Sequence, residues 1–448
     1  MMNYLGNLHP NFMSDKQVKT EAWASEWGFL LACIGSAVGI GNIWRFPYIV
    51  GENGGGAFLI PFIIIVGSLG FVLMLLEFAI GRRYKSSIVT GLASISKKFK
   101  WAGAAIALVA FAMLSYYLVI LGWVLSYFIS NLGQTFLEFE KFTQSYYPVL
   151  AFTAVLILTF IIVRRGITSG IEKFNKIGIL FLIGIIIPLM IYGVTLPGSS
   201  EGISYFLKPD FSRIGEPQIW STAFGQAFFS LSLGSGSLLT YGSYLRGKHS
   251  LIRSSSIIIS ANTMISIFAG IMIFSFVFSF GMNPQEGIPL IFEVLPNIFS
   301  DINFGFFVGA IFFFLLLIAG LTSAIGLFQV PNASLQDSFN LSNKKSSAII
   351  AIGIFLVGIP SALSYSPIEL GLSGVLFLDG MDYVFGTYGI TISELIFVVV
   401  VTWFVDKKKI LENINATSRF NIPQSTISVV KYSSPIVIIA ILVSTAIF

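Results

Sequence analysis

Two apolar stretches, residues 33–42 (CIGSAVGIGN) and 230–237 (SLSLGSGS), place runs of glycine and serine where a membrane helix would otherwise bond its own backbone without interruption. Helices that come apart at these points offer carbonyls, amides and hydroxyls to another partner. A small polar solute accompanied by cations fits that chemistry.

Charged and amide side chains cluster around the same stretches. Arg45 follows Asn42 on the outer half of the first apolar segment, where an unpaired charge costs on the order of several kcal/mol. Asp382, in LDGMDYVF, is its candidate partner, and the pair would close an outer vestibule over bound solute. The plainer reading is an arginine that snorkels to set helix depth. Glu77 (LMLLEFAIG) and Glu394 (ISELIFVV) are also embedded in apolar runs. Buried acids carry protons or brace broken helices by accepting orphan amides, and bracing is the favoured role. Asn262 and Ser266 stand four apart on one helical face, and Thr322 and Ser323 lie in AGLTSAIG. Taken singly, these read as helix–helix contacts. Taken together, they supply the neutral oxygens that a hard monovalent cation requires.

The elements that must position these groups follow from composition. Of 448 residues 55% are hydrophobic and 10% charged, with a mean hydropathy of +0.86. A soluble domain carries roughly a quarter charged residues, so this is a polytopic membrane protein. The runs 58–78, 106–132, 149–163, 177–194, 257–280, 304–330, 348–363, 395–405 with its upstream stretch, and 429–448 have or approach spanning length. With 23–50 and 220–244 they predict about eleven helices.

Lysine and arginine fall almost wholly in alternate loops, which accounts for the net charge of +5 without any nucleic-acid partner. The bias puts the polar start, residues 1–21, in the cytoplasm as a tail with no signal-peptide pattern, and the carboxyl terminus outside a cell membrane. The single cysteine, Cys33, has no internal partner, and there is no zinc, haem or redox motif. His9 and His249 read as surface residues.

No linker or compositional break divides the chain, so residues 1–448 read as one transmembrane transporter domain. The interrupted segments lie about 195 residues apart, each opening a block of about five helices, as in a two-repeat transporter with a midplane site. Repeat one spans about 22–195, repeat two about 218–405, and a further helix about 428–448. Five being odd, the second block is inverted relative to the first. The mixed stretches 200–220 and 282–301 are expected as outer caps.

The string GSAVGIGNIWRFPYIVGENGGGAFLIPF, continued by SYYLVILGW, FGQAFFSLSLGSGSLLTYGSY, SANTMIS, AGLTSAIGLFQ and GMDYVFGTYG, strongly resembles the neurotransmitter:sodium symporter family in order over nearly the whole chain. The resemblance implies an all-α, LeuT-type 5+5 inverted repeat with helices 1 and 6 unwound. It assigns one Na+ to the Ala37 carbonyl, the side chains of Asn42 and Asn262, and Ser230, completed by a substrate carboxylate. A second Na+ falls to the carbonyls of Gly35, Val38 and Ala319 and the hydroxyls of Thr322 and Ser323.

The implied substrate site draws on Ser36, Ala37, Ile40, Gly41, Met113, Tyr117, Ile120, Phe229, Ser230, Ser232, Ser235, Ser323 and Leu327. Gly39 stands where the monoamine carriers of the family have aspartate, so a substrate bringing its own carboxylate, an amino acid, is expected. Ser235 stands where many relatives carry a bulky aromatic, which favours a medium-to-large hydrophobic or aromatic side chain. Tyr117 and Phe229 resemble a lid beneath the Arg45–Asp382 outer gate.

Three departures qualify the resemblance. Gln226, Ser230, Asn262 and Ser266 resemble the family's chloride site, yet Phe62 replaces its usual tyrosine. Tyr244 and Asp337 match the inner gate, but Thr20 replaces the gate arginine, leaving Lys19 as a point-charge substitute. The chain also ends after about eleven helices, where many relatives have twelve. The expected activity is sodium-coupled amino-acid import by alternating access, with no enzymatic function. A proton-coupled carrier using Glu77 or Glu394 is the alternative.

Overall fold

Apolar runs of this length fold as helices because a helix satisfies its own amides and carbonyls where no water can. The computed structural model describes residues 21–247, 249–282, 290–372, 374–418 and 421–447. Among them nine helices are long and apolar enough to cross a membrane, or ten when the bent pair Glu26–Ala37 and Gly41–Glu52 counts as one. The chain is an all-helical polytopic membrane protein, apart from a short antiparallel pairing of Gly371–Leu372 with Val375–Leu376.

In chain order the segments are 1, the bent pair with its 52° angle; 2, Gly56–Tyr84; 3, Lys97–Leu132; 4, Tyr147–Arg164; and 5, Ile167–Val194. Segment 6 consists of two short helices, Pro217–Ser230 and Ser237–Ser243. Neither half reaches crossing length by itself. Then come 7, Leu251–Ser279; 8, Gly305–Phe339; 9, Asn343–Ala362; 10, Phe377–Phe404; and 11, Gln424–Ser444.

Several helices begin before the apolar runs that predict them. Segment 5 starts at Ile167, ten residues ahead of the run at 177, because its polar first turns are held by partners. Glu172 accepts from the Ala24 amide at 2.7 Å and the Ser25 hydroxyl at 3.0 Å, and Lys176 pairs with it at 2.6 Å. Segments 3 and 8 pack along one another to form the interior wall, and segment 8 is almost wholly enclosed. The breaks in segments 1 and 6 lie against that wall.

Candidate functional site

Segment 1 begins on a sound N-cap, Ser25, whose hydroxyl accepts from the Gly28 amide. It stops as a helix at Ala37, and Val38 takes an extended backbone (φ −85°, ψ 97°) before the turns resume at Gly41. The last carbonyls of the first half therefore lose their helical donors. Side chains take over: Ser323 Oγ donates to Gly35 O at 3.2 Å and Ser36 O at 3.1 Å, and Ser232 Oγ donates to Ser36 O at 2.8 Å.

Segment 6 breaks because three positions in its turn have positive φ: Ser232 (55°), Gly234 (74°) and Gly236 (76°). Glu77 on segment 2 braces this turn, one carboxylate oxygen accepting from Gly234 N at 3.0 Å and the other from Leu239 N at 3.2 Å. Glu394 packs behind Gly234, with its carboxyl group beside that of Glu77. The Ser235 hydroxyl donates to Ser232 O at 2.7 Å and accepts from Ser237 N at 3.2 Å, so it is turned into the break that it caps.

Between the two breaks lies a cavity of about 150 Å³. Segment 1 lines it with Ser36, Ala37, Gly39, Ile40, Gly41 and Asn42, and segment 3 with Met113, Tyr117 and Ile120. Phe229, Ser232 and Ser235 come from segment 6, and Ser323 and Leu327 from segment 8. Of the implied substrate residues, Ser230 alone is absent from the lining. It is buried one layer behind, where it accepts from Asn42 Nδ2 at 2.9 Å and Asn262 Nδ2 at 2.7 Å. Tyr117 faces the break, accepting from Ile40 N at 3.4 Å.

The residues assigned to the first Na+ form a tight polar knot. Asn42 Nδ2 has Ser230 Oγ at 2.9 Å, Asn262 Oδ1 at 2.8 Å and Ser266 Oγ at 2.8 Å, all buried. An amide nitrogen has two protons for these three acceptors, so the three contacts share them. The carboxamide is held this way round by Gly39 N, which donates to Asn42 Oδ1 at 3.1 Å. Gln226, the remaining member of the chloride-like set, donates to Gly41 O at 3.4 Å, and its own carbonyl has no donor. Phe62 sits in an aromatic stack with Phe46 and Phe58.

At the second assigned site Thr322 Oγ1 donates to Ala319 O at 2.8 Å, next to the Gly35–Ser323 contact. Gly35 must be glycine here: a Cβ would stand 2.9 Å from Thr322 Cβ and run into Asn175. Val38 follows on the extended turn with its carbonyl outside the helical ladder. The donor set is neutral and oxygen-only, which suits Na+ and offers nothing to a thiophilic or imidazole-seeking metal.

The outer groups stand apart. Arg45 lies over the Phe229 ring, 4.6 Å from its centroid, and is not among the ion pairs of the described residues. Asp382 lines the same cavity, beside Tyr116. On the other side, Tyr244 accepts from Gln329 Nε2 at 2.7 Å, whereas Asp337 accepts from Ser87 N at 2.6 Å and Thr90 Oγ1 at 3.0 Å. Lys19 and Thr20 lie outside the described residues. Among the described residues there, Trp23 donates to Tyr241 O at 2.9 Å and Glu21 accepts from Ile167 N at 3.1 Å. Burial raises the Glu21 carboxyl above its ordinary value, an effect that the Ile167 amide partly offsets.

Sequence reasoning missed Glu172 and Asn175, both on the polar lead-in to segment 5. The signal was present in IEKFNKIG, where both fall in the helical register that continues into the apolar run.

These features define an all-helical membrane protein that encloses a cavity between two interrupted helices. The profile described as the Sodium:neurotransmitter symporter family matches residues 20–148 and 139–448, and the chain belongs to that family of transporters. An uncharacterized sodium-dependent transporter from Haemophilus influenzae is 35% identical over 96% of this chain and 99% of its own length. Another from Methanocaldococcus jannaschii is 35% identical over 90% of this chain and 86% of its own. The crystal structure of MhsT in complex with L-phenylalanine superposes with a TM-score of 0.86 at 36% identity, covering 95% of this chain and 99% of that one.

Proposed function

We propose that the protein is a sodium-coupled symporter that imports a neutral, hydrophobic or aromatic amino acid across the cell membrane by alternating access. The observation that carries this reading is the cavity of about 150 Å³ between the two breaks, with uncharged polar groups at its base and apolar side chains around it. Support for the substrate class comes from MhsT, a similar protein whose structure holds L-phenylalanine.

In this reading the substrate carboxylate lies at the amides following Gly41, where a helix start favours negative charge, and near the Tyr117 hydroxyl. Carbonyls near Phe229 and Ser232 take the ammonium, and Met113, Ile120 and Leu327 the side chain. One Na+ occupies the Asn42–Ser230–Asn262 knot with Ala37, touching the carboxylate. The other lies among Gly35, Val38, Ala319, Thr322 and Ser323. Ion and substrate each supply charge that the other's site lacks, so binding is reciprocal.

Repeats 22–195 and 218–405, inverted with respect to one another, would supply the motion, with segments 1, 2, 6 and 7 rocking against the rest. Arg45 and Asp382 close the outer side when they pair. With the amino terminus inside and the carboxyl terminus outside, an inward-negative potential contributes about 2.3 kcal/mol per charge per 100 mV. Chloride is proposed at Gln226, Ser230, Asn262 and Ser266, where no carboxylate is present to balance the first Na+.

The test is uptake of each of the twenty amino acids into proteoliposomes under an inward Na+ gradient. Accumulation of apolar or aromatic amino acids that vanishes when K+ replaces Na+ is expected. Uptake that persists without Na+ and collapses with a protonophore would replace this reading with the proton-coupled one through Glu77 or Glu394.

A further inference from the structure

Asn175 is fully buried in segment 5, and its amide is fixed by a hydrogen bond from Nδ2 to Ile171 O at 2.9 Å. That bond turns Oδ1 away from its own helix, and no donor reaches it. The oxygen is aimed at Gly35, the residue at which a Cβ would collide with it and would also stand 2.9 Å from Thr322 Cβ. One turn further along segment 5, a Cβ at Gly178 would come within 3.3 Å of Thr322 Cγ2. Asn175 Oδ1 therefore lies against the Cα of Gly35 and beside the Thr322 side chain, where segments 1, 5 and 8 meet, and these are two of the residues assigned to the second Na+.

A carbonyl oxygen without a donor is unfavourable in a low-dielectric interior unless a proton or a cation faces it. The Gly35 Cα–H is a weak partner and does not replace a hydrogen bond. Hard monovalent cations are held by such neutral oxygens. We infer that Asn175 faces the second sodium ion as an additional oxygen donor, directly or through one water, and so ties segment 5 to the occupied site. This inference rests on the sodium reading above.

The test uses the purified full-length chain in detergent. Sodium is titrated against a potassium background while the melting temperature and bound ²²Na+ are read, and neither readout requires transport. Asn175→Leu keeps the volume and removes the oxygen, and it should need at least about tenfold more Na+ for half-maximal stabilisation, the range seen when a group supporting a metal site is lost. Its melting temperature in potassium alone should not fall below that of the wild type, because the unsatisfied oxygen is gone. Asn175→Asp retains an oxygen and should titrate with the wild type or tighter. Asn175→Ala carries the same prediction as the leucine variant should the latter fail to fold. An oxygen-free variant that titrates like the wild type overturns the inference and leaves the sodium reading intact. A wild type that shows no Na+ effect in either readout rejects the sodium reading itself.

Discussion

The Arg45 guanidinium carbon sits 4.6 Å from the centroid of the Phe229 ring, bridging the outer halves of the two interrupted segments. A desolvated cation over an aromatic face gains roughly 0.5 to 2 kcal/mol. Arg45 and Asp382 both line the cavity, and the two are not among the ion pairs of the described residues. Phe229 thus both lines the cavity and carries the Arg45 guanidinium over its ring.

From this arrangement Asp382→Asn should separate binding from transport. The substitution breaks no ion pair present in this structure, so sodium-dependent amino-acid binding should stay near the wild-type value. Uptake should fall on the order of tenfold or more, because a closed state loses its buried charge pair. Parallel saturation binding and proteoliposome uptake decide it. Equal losses in both would mean that Asp382 acts in binding.

Glu77→Gln should lower thermal stability. Both carboxylate oxygens accept backbone amides, and a carboxamide must turn an N–H₂ toward one of them. An orphaned buried donor costs about 1–3 kcal/mol. Glu394→Gln should cost less, because a carboxamide there can donate to the Glu77 carboxylate beside it. A detergent-solubilised melting series compares them, and a larger loss at position 394 contradicts the bracing role.

Gly39→Asp should abolish amino-acid binding. A Cβ at this position would stand 2.6 Å from Ser323 Oγ and 3.3 Å from the Tyr117 hydroxyl, and the added carboxylate would occupy the cavity meant for the substrate's own. Retained binding of a neutral amino acid in sodium would show that the carboxylate is bound elsewhere.

Chloride at the Ser266 cluster predicts that uptake falls when gluconate replaces chloride at a constant Na+ gradient. Uptake unchanged by the exchange removes chloride from the account.

The interrupted helices were legible in the sequence because glycine and serine runs at 33–42 and 230–237 cannot be reconciled with uninterrupted membrane helices. Asn262 and Ser266 could be linked by their four-residue spacing on one helical face, whereas Asn42 was joined to Asn262 only through the family resemblance. Three things were less visible. The Arg45–Asp382 relation depends on which conformation the molecule adopts, and a sequence encodes more than one. The Ser235 hydroxyl turns back into the break because positive φ at Gly234 and Gly236 brings Ser237 N within its reach. Asn175 and Glu172 were hidden because lysines beside them imitate a loop, whereas hydrogen bonds to segment 1 and the ion pair with Lys176 carry the helix through.

Equilibrium binding of radiolabelled amino acids to the purified chain, in sodium and then in potassium, tests the central claim most directly. The account predicts saturable binding of at least one apolar or aromatic amino acid in sodium, none in potassium, and loss of the sodium signal in Asn42→Ala. Binding of equal strength in the two salts, or an Asn42→Ala variant that retains the full sodium dependence, would contradict it.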